Sequence, residues 1–272
     1  MAATSDQQLE KRRLVAEDAC RAAAVVHLKY RQPSIPFDTK NGNRRDLVTI
    51  ADFESQIAAK AVIEAAFPGE AIIGEEDSPT PEHISAVLGD HGWLIDPLDG
   101  TFNYVHGFPD FSATVAFVAE GKPVVGATYV PLFDEMFSAA DGLGATLNGE
   151  PIHVSTRKGL RRSVVNVWLG DRSDVEAHAR LGRVHQIALQ QRVFGGTAIV
   201  MAYLAAGRYD LFYVAGHGRM GAWDIAAGAI LIQEAGGSVT KVDGAPFRLP
   251  SNQIACTADP ATLDELRALL AE

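Results

Sequence analysis

The run Trp93 to Pro109, WLIDPLDGTFNYVHGFP, restricts the fold of this chain more than any other stretch. Trp93, Leu94 and Ile95 have the bulk of a buried strand, whereas Asp96-Pro97-Leu98-Asp99-Gly100 must leave that strand sharply. Pro97 fixes its own φ and has no N–H to donate, and Gly100 admits a positive φ. Asp96 and Asp99 can then point into one small volume. Two carboxylates that close raise each other's pKa unless a cation lies between them, so the pattern asks for a metal. Hard oxygen ligands suit Mg²⁺ before Zn²⁺. On this stretch alone, turn capping by Asp and Asn accounts for the same residues equally well.

At 272 residues with 47% hydrophobic side chains the chain can bury a sizeable core, as one domain (1–272) or two closely packed halves, 1–155 and 156–272. The formal charge of −10 argues against a nucleic acid as main partner. Lys11-Arg12-Arg13 is read as the solvated face of an N-terminal helix. Cys20 and Cys256 lie in apolar surroundings without C-x-x-C spacing, which fits inert thiols in a reducing compartment. The N-terminus lacks the apolar core of a signal peptide, and no apolar run approaches the roughly 18 residues that span a bilayer. A cytoplasmic protein with no membrane partner is expected.

Apolar spacing predicts a helix over 7–31 and a second from Asp52 to Ala66, with Asp52 a candidate N-cap. Residues 40–45 form a polar loop between them. Ala71-Ile72-Ile73 is a short strand that breaks at Gly74 and presents Glu75-Glu76-Asp77, either an acidic surface loop or a set of acids that needs a counter-ion. Residues 111–119 alternate as a strand, and further strands near 124–130 and 135–140 make an antiparallel meander. Gly142 to Gly149 is read as a hairpin turn, since it lacks the ending of a phosphate-binding loop. Beyond Ser163, strands near 163–168, 211–214, 238–242 and 253–257 alternate with helices near 174–191, 198–206, 223–234 and 260–271. The architecture expected is layered α/β with mixed strand directions.

Gly216-His217-Gly218-Arg219-Met220-Gly221 matches G-x-G-x-x-G, follows a strand and precedes a helix, so a dinucleotide-binding oxidoreductase is one reading. Against it, the helix opens with Trp223-Asp224, a carboxylate where a pyrophosphate would need backbone N–H groups.

Taken together, Gly74-Glu75-Glu76, the 93–109 stretch, and Trp223-Asp224-Ile225-Ala226-Ala227-Gly228 through Gly237 resemble the inositol monophosphatase family. Asp46-Leu47-Val48-Thr49 with Asp52, Gly142–Gly149 and Gly196-Thr197-Ala198 extend the resemblance over nearly the whole chain, in the family's order. The resemblance implies a five-layer α/β/α/β/α sandwich of the sugar-phosphatase type, a homodimer, and lithium-sensitive, Mg²⁺-dependent hydrolysis of a small phosphate ester. Two or three Mg²⁺ per site are implied, with Mn²⁺ an alternative. Carried over residue by residue, it makes Glu75, Asp96, the Leu98 carbonyl, Asp99 and Asp224 the metal ligands. Thr101 would hold the attacking water together with Glu75, with Asp52 behind it. Asp99, Gly100, Thr101, Gly196, Thr197, Ala198 and Asp224 would line the substrate site. Such an assembly uses a metal to activate water and to neutralise the leaving oxygen.

The chain departs from the pattern of the family's inositol-specific members at Val214, aligned with their Glu, and in a slightly longer segment before Trp223 that contains Arg219. That arginine is either a solvated loop residue or, if its loop folds over the metal cluster, a cation suited to a second anionic group on the substrate. Inositol monophosphate, histidinol phosphate, and sugar or nucleotide phosphates all remain candidate substrates, and a regulatory protein-binding role remains a further alternative.

Overall fold

The computed structural model describes residues 5–32, 35–44, 46–169, 174–193, 195–215, 220–250 and 253–271. The chain opens with α1 (Asp6–Tyr30), capped where the Ser5 side chain accepts the Gln8 N–H. A two-stranded antiparallel ribbon follows, β1 (Phe37–Thr39) and β2 (Leu47–Thr49), and runs directly into α2 (Ile50–Ala66). Next come β3 (Ile72–Gly74), α3 (Pro81–Gly89), β4 (His91–Asp99) and the short α4 (Thr101–Val105). The meander β5 (Ser112–Ala119), β6 (Lys122–Val130), β7 (Glu135–Ala140), β8 (Gly144–Leu147) and β9 (Glu150–Pro151) completes a seven-stranded sheet in sequence order from β3 to β9. Only the β3–β4 pair in it is parallel. Tight turns allow only antiparallel neighbours, and the one parallel pair is the one with a helix between its strands.

The second sheet has five strands and a different logic. Its elements are β10 (Val164–Leu169), α5 (Val175–Ile187), β11 (Gln190–Arg192), α6 (Thr197–Ala205), β12 (Leu211–Ala215), α7 (Ala222–Glu234), β13 (Ser238–Thr240), β14 (Ala255–Thr257) and α8 (Pro260–Ala271). The order is β11-β10-β12-β14-β13. β10 is parallel to both neighbours, and β14 is antiparallel to both of its own.

Period-two alternation decides how the layers stack. Trp93 and Ile95 pack with Ala16, Ala19, Ala59 and Ile63 of α1 and α2, while Leu94 between them packs with α6 and α7. In β12, Phe212 and Val214 join that same central core, and Leu211 and Tyr213 turn outward to α5 and α8. The stack is therefore α1/α2, seven-stranded sheet, α6/α7, five-stranded sheet, α5/α8, the five-layer α/β/α/β/α arrangement expected. Fully burying side chains such as Leu94 and Ile95 contributes about 2 kcal/mol each. Among the described residues no helix is long and apolar enough to cross a membrane.

Several local expectations are corrected. Residues 190–192 form edge strand β11, not the end of a helix, because the open edge of β10 offers backbone partners that a last helical turn cannot match. Gly142–Gly149 is not one hairpin turn: β8 lies inside it, with a tight turn on either side. Arg12 is no solvated residue, since its guanidinium lies 4.3 Å from the Phe67 ring and 4.1 Å from the Phe117 ring and pairs with Glu70 at 2.7 Å. Cys20 and Cys256 are buried free thiols, as expected.

Candidate active site

β4 carries the two aspartates of the Asp96–Gly100 turn to the end of its sheet. Its register against β5 shifts between Asp96, opposite Thr114, and Asp99, opposite Ser112, so the ladder opens where Pro97 has no N–H to contribute. The freed Pro97 carbonyl accepts His27 Nε2–H at 2.7 Å, from the last turns of α1. Burial pushes His27 down to about 4, so the ring stays neutral. The Leu98 N–H donates to Asp96 Oδ1 at 3.1 Å and locks that carboxylate. Gly100 then turns the chain at φ 86°, where a Cβ would stand 2.8 Å from the Asp110 carbonyl.

Glu75 reaches the same place because β3 runs parallel to β4, Gly74 beside Ile95. A side chain on Gly74 would overlap Gln56, whose Oε1 accepts the Glu76 N–H at 2.9 Å and whose Nε2 donates to Asp77. Asp224 stands in the first turn of α7, where its Oδ2 accepts the Gly221 N–H at 2.8 Å at the positive end of the helix dipole. Oxygens of Glu75, Asp96 and Asp224 lie within 4.8 Å of one another. Asp99 stands beside that trio without being one of it. Its two oxygens accept the backbone N–H groups of Thr197 and Ala198, each at 3.0 Å, from the start of α6.

The electrostatics follow from crowding. Burial, then Glu75, Asp99 and Asp224, push Asp96 well above the usual carboxylate range. Asp224 is pushed the same way by burial, Glu75 and Asp99. Asp99 is raised by burial to about 6, held back by the α6 amides. A cation between these groups removes the repulsion that raises them.

Thr101 opens α4, and its hydroxyl is within hydrogen-bonding reach of Asp52 Oδ1 at 2.9 Å and of the Leu98 carbonyl at 3.0 Å. Asp52 is not the N-cap of α2. Thr49 takes that place, and Asp52, three residues on, accepts both the Thr49 N–H and its hydroxyl at 2.7 Å on Oδ2. That leaves Oδ1 for Thr101. Burial raises Asp52 to about 6 against these hydrogen bonds.

The structure thus gathers Glu75, Asp96, Leu98, Asp99, Gly100, Thr101, Asp52 and Asp224 around one turn, and brings Thr197 and Ala198 to it through Asp99. The Gly196 backbone adjoins Asp99 as well. Val214 lies in the central apolar core. His106 is exposed and packs on Phe102, ring centroids 4.3 Å apart, and Tyr104 is buried with its hydroxyl donating to the His27 carbonyl. Arg219, with Gly216, His217 and Gly218, lies outside the described residues.

Sequence reasoning missed Lys40. Its Nζ donates to Glu75 Oε1 and Glu76 Oε1, both at 2.7 Å. Burial alone would lower this ammonium, but the two glutamates outweigh it and raise its pKa. Nothing in a polar loop at 40–45 marks one lysine for this position, since the contact exists only once the β1–β2 ribbon folds over the end of β3.

The donor set fits a hard divalent cation. It is all oxygen, it is self-repelling, and it already draws Lys40 onto Glu75. The dinucleotide reading does not fit, because the Gly221 N–H at the start of α7 is taken by Asp224 and is not free for a phosphate.

Comparison with known proteins agrees. The sequence model of the Inositol monophosphatase family matches residues 8–272. Inositol monophosphatase 2 of Solanum lycopersicum is 37% identical over 216 residues, covering 78% of this chain and 81% of the relative. A fructose-1,6-bisphosphatase/inositol-1-monophosphatase of Thermotoga maritima is 38% identical over 200 residues, 74% of this chain and 73% of the relative. The solved structure of inositol monophosphatase from Anabaena (Nostoc) sp. superposes with a TM-score of 0.81 at 31% identity, over 97% of this chain and 96% of that one. With the fold, the carboxylate cluster and these likenesses in agreement, the chain belongs to the inositol monophosphatase family, a family of phosphoric monoester hydrolases.

Proposed function

We propose that this protein is a Mg²⁺-dependent phosphatase of a small phosphate monoester, inositol monophosphate or a related polyol or sugar phosphate. The observation that carries the metal dependence is the convergence of Glu75, Asp96 and Asp224 within 4.8 Å. Glu75, Asp96, Asp99, Asp224 and the Leu98 carbonyl would hold two or three Mg²⁺, or Mn²⁺. A bound divalent ion supplies a water of lowered pKa and charge neutralisation at the phosphate. As a carboxylate, Asp52 can only accept, so the Thr101 proton turns to it or to the Leu98 carbonyl. The Thr101 oxygen is then free to accept, and would take a proton of that water and orient it toward the phosphate. The backbone N–H groups of Gly100 and Thr101 bind the phosphate, and Gly196, Thr197 and Ala198 line the alcohol side, where the α6 amides hold Asp99 in place.

In this reading residues 1–155 supply most of the metal carboxylates and 156–272 the substrate side, and the protein is a cytoplasmic homodimer inhibited by Li⁺. Phosphate release from a panel of inositol, sugar, histidinol and nucleotide phosphates, with Mg²⁺ and after exhaustive chelation, tests it. Turnover that survives chelation would sink the metal assignment. Sedimentation of the purified chain tests the dimer.

A further inference from the structure

Where the segment before β10 meets the last turn of α5 and the second half of α8, the surface opens into a cleft of about 560 Å³. Leu160, Ile187 and Leu269 make it apolar, and Lys158, Arg161 and Arg162 rim it as exposed cations. Among the described residues none of these three cations has a carboxylate partner. The one carboxylate in the cleft, Glu265, is engaged by the Leu160 N–H at 2.7 Å. The place is separate from the catalytic carboxylates. It lies where β10 and β11 begin, whereas α6 and α7 start at the opposite ends of their parallel strands, about 20 Å away along β10.

We propose that this cleft is a second binding site, for a small amphiphilic anion with one anionic head and an apolar body. An apolar floor favours a ligand that displaces its water, and three cations within five residues, none with a carboxylate partner among the described residues, favour an anionic head. The volume suits a small organic molecule. The overall charge of −10 opposes an extended polyanion, whereas a compact anion responds to the cations within about one Debye length, 8–10 Å.

The test is a methyl NMR titration of the full-length protein with octanoate, 1-octanol and acetate, following Leu160, Ile187 and Leu269. Octanoate is expected to give saturable shifts at those methyls with Kd below about 1 mM, 1-octanol to bind about tenfold more weakly, and acetate not to saturate. The Arg161→Ala/Arg162→Ala variant should weaken octanoate about tenfold and leave 1-octanol unchanged. Leu269→Asn should weaken both, and phosphatase turnover should be unaltered in either variant, which also confirms folding. No saturation by octanoate, equal affinity for octanoate and 1-octanol, or an unchanged Kd in the double variant would overturn the proposal. The readout does not depend on catalysis, so it stands or falls apart from the proposed phosphatase reaction.

Discussion

Thr101 Oγ1 lies 2.9 Å from Asp52 Oδ1, across 49 residues of sequence, and the contact joins the first turn of α2 to the first turn of α4. Asp52 is simultaneously the capping partner of Thr49, so one carboxylate both starts a helix and orients the hydroxyl beside the carboxylate cluster. Helix capping and the proposed water-orienting role thus draw on separate oxygens of a single side chain.

Thr101→Ala removes the proposed acceptor for the water proton and none of the proposed metal ligands. It should lower kcat by about 10² while leaving Mg²⁺ affinity near normal. Steady-state kinetics together with calorimetric Mg²⁺ titration check this, and lost Mg²⁺ affinity would reassign the residue.

Asp99→Asn is nearly isosteric, yet it sets an amide N–H₂ against the N–H of Thr197 or Ala198, where both carboxylate oxygens now accept. We expect kcat to fall by at least about 10² as charge is lost at the site, and the start of α6 to loosen. Phosphate release and amide exchange at 197–199 measure the two effects, and near-normal turnover would show that Asp99 serves only the turn.

Asp52 and Asp99 are raised by burial to about 6 from the ordinary 3.8. Between those values the folded chain binds more protons than the unfolded one, so this pair makes the metal-free protein less stable as pH rises from about 4 to about 6, and no further above. Mg²⁺ held by Asp99, Asp96 and Asp224 would need these raised carboxyls ionised, and should therefore raise Tm more at pH 7.5 than at pH 5. Thermal unfolding with and without Mg²⁺ at the two pH values decides it. A larger Mg²⁺ effect at the lower pH would contradict the carboxylate assignment.

Gly74→Ala forces a Cβ into Gln56, which is tied to both Glu76 and Asp77. A loss of about 1–3 kcal/mol is expected, with weaker Mg²⁺ binding because Glu75 follows directly. Urea unfolding measures the first, and Gly74→Ala/Gln56→Ala should recover part of it.

Much of this protein is legible in its amino-acid sequence alone. Helical and period-two spacing places most helices and strands, since burial on one face imposes a repeat on the residues themselves. Pro97 and Gly100 mark the break in β4 because their backbone limits are intrinsic, and the clustered acids imply a cation because carboxylates repel wherever they meet. The ordered motifs from Glu75 to Asp224 identify the family for the same reason, as each keeps its chemistry in a few adjacent residues. Other features exist only after folding. The hold of Lys40 on Glu75 and Glu76, the α6 amides on Asp99, and His27 beneath Pro97 join segments far apart in sequence, and nothing local to either partner specifies the other. The strand β11 belongs with them. Its residues have helical neighbours and no strand pattern, and the open edge of β10 decides their conformation.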